Sequence, residues 1–269
     1  MEPLAAVDGW HDTVAAAAAV GDAGVLAERG PVDSAFALAS VTKPLVAFAA
    51  LVAVEEGTIG LDDPAGPPGA TVRHLLAHAS GLPFEPAGPV GAPARRRTYS
   101  NAGFVVLGAH LAERAGMDVA DYVAAAVFEP LGMRATALAG SPASGVTSTV
   151  ADLCRFAAEL LEPTLIDAAT LTEATTIAFP GLAGVVPGIG RFDPCDWGLG
   201  FELKGSKVPH WTPPGAAPGT FGHFGASGTF LWVEPIARLA LVCLTDRPFG
   251  PWALAAWPAL GQAVLDDFR

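Results

Sequence analysis

Lysine is scarce in this chain of 269 residues: there are three, Lys43, Lys204 and Lys207. Lysine and arginine together number 15 against 27 aspartates and glutamates, a formal net charge of −12. So little positive charge cannot supply a row of phosphate contacts, which excludes nucleic acid as a partner. The one basic run, Arg95-Arg96-Arg97, is short and local. Cysteine is equally sparse. Cys154, Cys195 and Cys243 are widely separated, which excludes a disulfide framework or a cysteine metal cluster and reads as reduced thiols in a cytosolic protein. Long apolar runs are missing too. The stretch 14–20 is too short for a bilayer, and Glu2 and Asp8 stand where a targeting signal would carry basic residues. The expectation is a cytoplasmic chain without membrane insertion. Oligomeric state is not legible.

Two familiar site patterns are also lacking. No Gly-x-Ser-x-Gly occurs; Gly225-Ala226-Ser227-Gly228-Thr229 fails at its last position. His74 and His78 have the spacing of zinc ligands on a helix, but Leu75 follows His74 and no third ligand is evident. Both read as structural histidines held by a capping or core hydrogen bond, and no metal or cofactor is expected.

What is present is apolar bulk. Hydrophobic residues make up 51% of the chain, enough for a large core in one or two domains. Residues 15–20 and 25–28 flank Gly21-Asp22-Ala23-Gly24 and read as a hairpin, and 36–39 as a short extended stretch. A helix is predicted from about Ser40 to Glu56, stopping at Gly57; Pro44 is tolerated only in its first turn. Further helices are predicted from Thr71 to His78, from Asn101 to Gly116, from Asp118 to before Pro130, and from Thr149 to about Leu161. Residues 179–194 read as loop. Strands follow at 198–203, 220–226, 229–234 and 239–245, then an amphipathic helix over 252–267. Strands at both ends around a helical middle imply an α/β (α+β) fold: residues 1–60 plus 195–269 form a sheet domain flanked by helices. Residues 61–194 form an inserted, mainly helical subdomain, with the site between the two.

Chemistry is concentrated in three places. In Ser40-Val41-Thr42-Lys43, a serine hydroxyl needs a base, and a lysine three residues on shares its helix face. Lys43 sits in an apolar stretch, where a lysine needs a partner or a task. In Tyr99-Ser100-Asn101, a phenol can relay protons if positive charge from Lys43 or Arg97 lowers its pKa, and an Asn amide can orient a lysine and a carbonyl. The plainer reading is that Asn101 caps a helix and Tyr99 packs. In the 222–228 segment, three glycines in seven residues permit close backbone approach, either to a ligand or across a bulge. Trp197, Trp211 and Trp232 lie near this segment. Trp211, in the Pro-rich 207–219 loop, is the expected cleft-wall residue that contacts substrate.

Taken in order, Ser40-Val41-Thr42-Lys43, Tyr99-Ser100-Asn101 and His223-Phe224-Gly225 resemble the three motifs of serine β-lactamases and penicillin-binding proteins. The similarity is greatest to the class C-like branch that also holds esterases and D-amino-acid peptidases. The segments 73–82 and 128–133 resemble that branch's connectors, and the likeness covers about residues 15–250. The resemblance implies a β-lactamase-like antiparallel sheet, acylation of Ser40, proton transfer by Lys43 and Tyr99, and orientation by Asn101. It implies an oxyanion hole from the backbone N–H groups of Ser40 and Ala226, with His223, Phe224 and Gly225 at the substrate. It departs from the usual Lys-Thr-Gly at the third motif: His223 replaces the cation and Phe224 the hydroxyl. No glutamate–asparagine motif of the class A kind is seen. The expected activity is hydrolysis of a small carboxylic ester through an acyl-enzyme. A β-lactamase or D-amino-acid peptidase acting on a lactam or amide is the alternative, and a non-catalytic ligand binder a third.

Overall fold

The computed structural model describes residues 2–85 and 87–269. In chain order the elements begin with β1 (Ala15–Gly21), β2 (Gly24–Arg29), β3 (Phe36–Ala37) and α1 (Thr42–Glu55). Then come α2 (Val72–Leu76), β4 (Arg97–Thr98), α3 (Asn101–Ala115), α4 (Val119–Val123), β5 (Ala137–Leu138), β6 (Val146–Ser148) and α5 (Val150–Leu161). The last third holds α6 (Ala168–Ala174), β7 (Gly184–Val186), β8 (Gly190–Phe192), β9 (Glu202–Leu203), β10 (Phe221–Gly225), β11 (Thr229–Glu234), β12 (Leu239–Thr245) and α7 (Pro251–Phe268).

The main sheet has the order β2-β1-β12-β11-β10-β9, and its pairs are antiparallel. Its central strands are buried on both faces, so apolar residues run continuously and sort by parity. Ala16, Ala18 and Val20 of β1 join Ala240, Val242 and Leu244 of β12 in a core shared with α1, α3 and α5. Ala15, Ala17, Ala19, Leu241 and Cys243 face the other way, towards Trp257, Leu260 and Val264 of α7. Alanine on β1 and β12's small-to-medium side chains let helices approach both faces closely. Two three-stranded sheets, β3-β6-β5 and β4-β7-β8, lie outside the main one.

Several predicted bounds need correction. Ser40 lies on a 3-10 turn, Ala39–Val41, that leads into α1 rather than opening it. The 198–203 strand shrinks to Glu202–Leu203, and the 179–194 segment contains β7 and β8. The segment after Asp118 changes pitch, with α4 giving way to a π-turn at Ala124–Phe128. The helix α5, from the middle of the chain, packs on β1 and β12. Among the described residues no helix is long and apolar enough to cross a membrane.

Candidate active site

Ser40 is set by its neighbours on the chain. Ala39 just before it has φ +46°, a left-handed conformation costly for a residue with a Cβ. The strain is held by the hairpin of β10 and β11. Ser227 Oγ donates to the Ala37 carbonyl (2.6 Å) and Thr229 Oγ1 to the Leu38 carbonyl (2.8 Å). Gly225 must be a glycine here, because a Cβ would lie 2.2 Å from the Leu38 oxygen. The β10–β11 hairpin that carries the third motif therefore clamps the turn that carries the first.

Lys43 is fully buried one turn into this element. Its Nζ lies 3.1 Å from Ser40 Oγ, 2.8 Å from Asn101 Oδ1 and 2.9 Å from the Ala143 carbonyl oxygen. Burial pulls its pKa down to about 7. Two of the three partners can only accept. A neutral amine spends its two N–H groups on them and is left with its lone pair facing the Ser40 hydroxyl. Asn101 is the first residue of α3 and does not cap it. Ser100 is the cap: its Oγ accepts from Gly103 N (2.8 Å) and donates to the Pro83 carbonyl (2.7 Å). That frees the Asn101 side chain to face Lys43.

Tyr99 is buried beside both, with Lys43 Nζ 4.8 Å from its ring centre. Positive charge does not lower its pKa as expected. Burial raises it, against a downward pull from hydrogen bonding with Ser40, and buried Glu202 adds a further upward push. Arg97 is committed elsewhere, donating to the carbonyls of Ala77, Cys195, Ala178 and Phe179. Tyr99 is thus a neutral phenol.

His223 Nδ1 lies 2.6 Å from its neighbour Phe224's carbonyl oxygen, which fixes the proton on Nδ1 and leaves Nε2 as acceptor. Nε2 lies 3.4 Å from the Tyr99 hydroxyl. Burial, followed by the Lys43 charge, lowers the His223 pKa to about 3, so the ring is neutral. His78 is the residue whose role the sequence understated. Its Nδ1 accepts from the Ser100 backbone N–H (3.1 Å), and its ring packs on Tyr99, Phe104 and Trp197. It is a core histidine, and the core it serves is the wall of the site. His74, by contrast, pairs with Thr71 Oγ1 at 2.9 Å.

Ser40, Tyr99 and His223 border a cavity of about 200 Å³, which Lys43 and Asn101 do not line. Ser40, His223, Phe224 and Ala226 come from the sheet side, and Phe84, Tyr99, Trp197 and the Val186–Pro187–Gly188 stretch from the intervening segments. Trp211 is not among them, a correction to the expected wall. Its indole is buried, donates from Nε1 to Glu202 Oε2 (2.9 Å) and packs on Phe224 and Phe230. Glu202 and His210 are buried with it (3.1 Å), and the Lys207 ammonium, donating to the Asp196 carbonyl, completes the cluster. Burial works to raise the Glu202 pKa, but Lys207 and His210 bring it to about 2. The loop's polar residues thus turn inward to each other. Trp197 holds the position on the wall instead. Its only sequence signal was its place among the three tryptophans, and the Ala143 carbonyl, a backbone group, had none.

A crystal structure of a β-lactamase from Mycobacterium bovis is 55% identical, covers 99% of both chains and superposes with a TM-score of 0.98. EstCE1, a hydrolase with promiscuous acyltransferase activity, shares the fold at 18% identity and a TM-score of 0.79, over 98% of this chain and 97% of its own. Among curated proteins, penicillin-binding protein 4* of Bacillus subtilis (strain 168) is 30% identical over 41% of this chain, and esterase EstB of Burkholderia gladioli 34% over 38%. The matches span 32% and 38% of those relatives' lengths. The Beta-lactamase family profile matches residues 6–265, and the chain belongs to that family of serine hydrolases.

Proposed function

We propose that the chain hydrolyses small carboxylic esters through an acyl-enzyme on Ser40. Neutral Lys43 takes the Ser40 proton as Oγ attacks the ester carbonyl. The amides of Ser40 and Ala226, which border the same cavity, are the donors for the resulting oxyanion. Tyr99, a neutral phenol, gives its proton to the departing alkoxide as the C–O bond breaks. Water then attacks the acyl-enzyme carbonyl and gives its proton to the Tyr99 phenolate; as the acyl–Oγ bond breaks, the Lys43 ammonium returns its proton to Oγ, which restores Ser40 and releases the acid. Asn101 orients Lys43 throughout.

The observation that carries the ester reading is the state of His223. A buried ring with pKa near 3 offers no cation, and Phe224 beside it offers no hydroxyl, so the third motif lacks the two side-chain groups that would hold a lactam or peptide carboxylate. An ester leaving group also needs less protonation than an amine. A second reading, β-lactam hydrolysis, is favoured by the 55% identical Mycobacterium bovis structure, which is described as a β-lactamase. The test is a series of p-nitrophenyl esters set beside nitrocefin and a D-Ala-D-Ala peptide. Ester turnover well above the other two, lost in Ser40→Ala with an acyl mass shift mapped to the Ser40 peptide, supports the proposal. Nitrocefin turnover equal to that of p-nitrophenyl acetate favours the second reading. A chain that a fluorophosphonate does not label is a binding protein.

A further inference from the structure

Beside the Ser40 cavity runs a larger groove of about 530 Å³. Phe84, Tyr99 and Pro187 line both, so the two share a wall and the groove leads away from the serine. Its floor is the small sheet, in which Thr98 pairs with Val185 and Val185 with Arg191. Its middle is apolar and uncovered: Phe84 is 46%, Val90 51% and Val185 52% exposed. The Phe84 carbonyl is pinned to the start of α3, accepting from the Asn101 and Ala102 N–H groups at 3.0 and 3.3 Å, so this wall is anchored to the catalytic helix.

Two exposed arginines, Arg96 and Arg191, also line it. Arg96 bonds only the Thr98 hydroxyl (3.2 Å), and among the described residues neither Arg96 nor Arg191 has a carboxylate within ion-pairing distance. No Asp or Glu lines the groove. In a chain of net charge −12, an apolar channel edged by two unopposed guanidinium groups is complementary to one shape of ligand.

We propose that this groove binds the distal part of the substrate, an apolar chain that ends in an anionic group, carboxylate or phosphate, paired with Arg96 and Arg191. The inference rests on the ester-hydrolase reading and narrows its substrate class. The apolar stem covers Phe84, Val90 and Val185, and the anion stays at the solvent edge, where it need not be desolvated.

The experiment compares mono-p-nitrophenyl esters of dicarboxylic acids, adipate to sebacate, with neutral p-nitrophenyl alkanoates of equal length. The expected result is a kcat/KM ratio of anionic to neutral ester of about tenfold at the best length, shrinking as salt is raised. In Arg96→Ala and Arg191→Ala the ratio falls towards one. Arg96→Lys retains part of it, and Arg191→Glu reverses it. Because each ratio is internal to one variant, a loss of folded protein does not mimic the effect. A ratio near one in the wild type, with p-nitrophenyl esters turned over normally, overturns the groove proposal alone. Binding separates the two readings further. Calorimetry on Ser40→Ala with sebacic acid monoamide against decanamide should favour the anionic ligand even if no ester is hydrolysed. Equal binding of the two overturns the proposal.

Discussion

Lys43 and Asn101 stand 58 residues apart in the chain, and Nζ lies 2.8 Å from Oδ1. The relationship decides the charge state of the site. An amide oxygen satisfies the lysine's N–H without stabilising a full positive charge as a carboxylate would, so burial wins and the pKa falls to about 7.

The first prediction follows from that value. The base must be deprotonated to act, so kcat/KM for a neutral ester should fall about tenfold per pH unit below about 7 and level off above it. His223, with its pKa near 3, is already neutral across this range and contributes no limb. In Asn101→Asp a carboxylate replaces the amide against the ammonium, and the acid limb should move up by about one to three units. A pH–rate profile checks both. An unmoved limb in Asn101→Asp would assign the titration to another group.

A second prediction separates Trp211 from the cleft. Its indole is an internal strut bonded to Glu202, so Trp211→Ala should cost about 3–5 kcal/mol in urea unfolding. Trp211→Phe keeps most of the packing but leaves a Glu202 oxygen short of a donor, for a loss of about 1–3 kcal/mol. Chain-length preference towards esters should survive in Trp211→Phe. A shifted preference with unchanged stability would return the residue to the substrate.

Much of this was legible in the sequence where pattern and structure share a period. The bounds of β11 and β12 follow from continuous apolar runs closed by turn residues, and Ser40 and Lys43 are one helical turn apart whatever surrounds them. What failed was whatever depends on where a side chain goes after it leaves the backbone. Arg97, read as a charge near Tyr99, turns to four carbonyls. Trp211, read as a loop aromatic on a cleft, turns inward because Glu202 accepts its N–H. The three-residue strands β7 and β8 escaped because they are short and interrupted by Gly and Pro, and they form the floor of the groove beside the site.

A third prediction concerns the packing behind the nucleophile. Gly200 has φ +91°, and a Cβ there would lie 2.1 Å from the Ala47 methyl on α1. Gly200→Ala should destabilise the chain by about 2–5 kcal/mol through overpacking and backbone strain. Adding Ala47→Gly relieves the clash but not the φ, so thermal melts of the double variant should recover only part of the loss. Full recovery would mean the backbone at 200 tolerates a side chain.

The last prediction treats Lys43 and Tyr99 as one proton-transfer unit. Three facts join them: Nζ sits 4.8 Å from the phenol ring centre, Nζ bonds Ser40 while Tyr99 lines the same cavity as that serine, and the neutral His223 contributes an acceptor to Tyr99 but no charge. If the amine takes the serine proton and the phenol delivers one to the leaving group, each turnover needs both, and removing either breaks the same cycle. Lys43→Ala and Tyr99→Phe should each lower kcat by about three or more orders of magnitude, with the double variant little worse than the poorer single. Both changes also disturb the core, so folded fraction must be set by active-site-independent means such as urea melts before rates are compared. A leaving-group series then divides the roles. Tyr99→Phe should harm poor leaving groups, such as alkyl alcohols, more than p-nitrophenolate, which departs without a proton, whereas Lys43→Ala should harm both alike. Losses that add in the double variant, or a Tyr99→Phe deficit independent of the leaving group, would show that the two residues act separately and that the leaving-group proton comes from another donor.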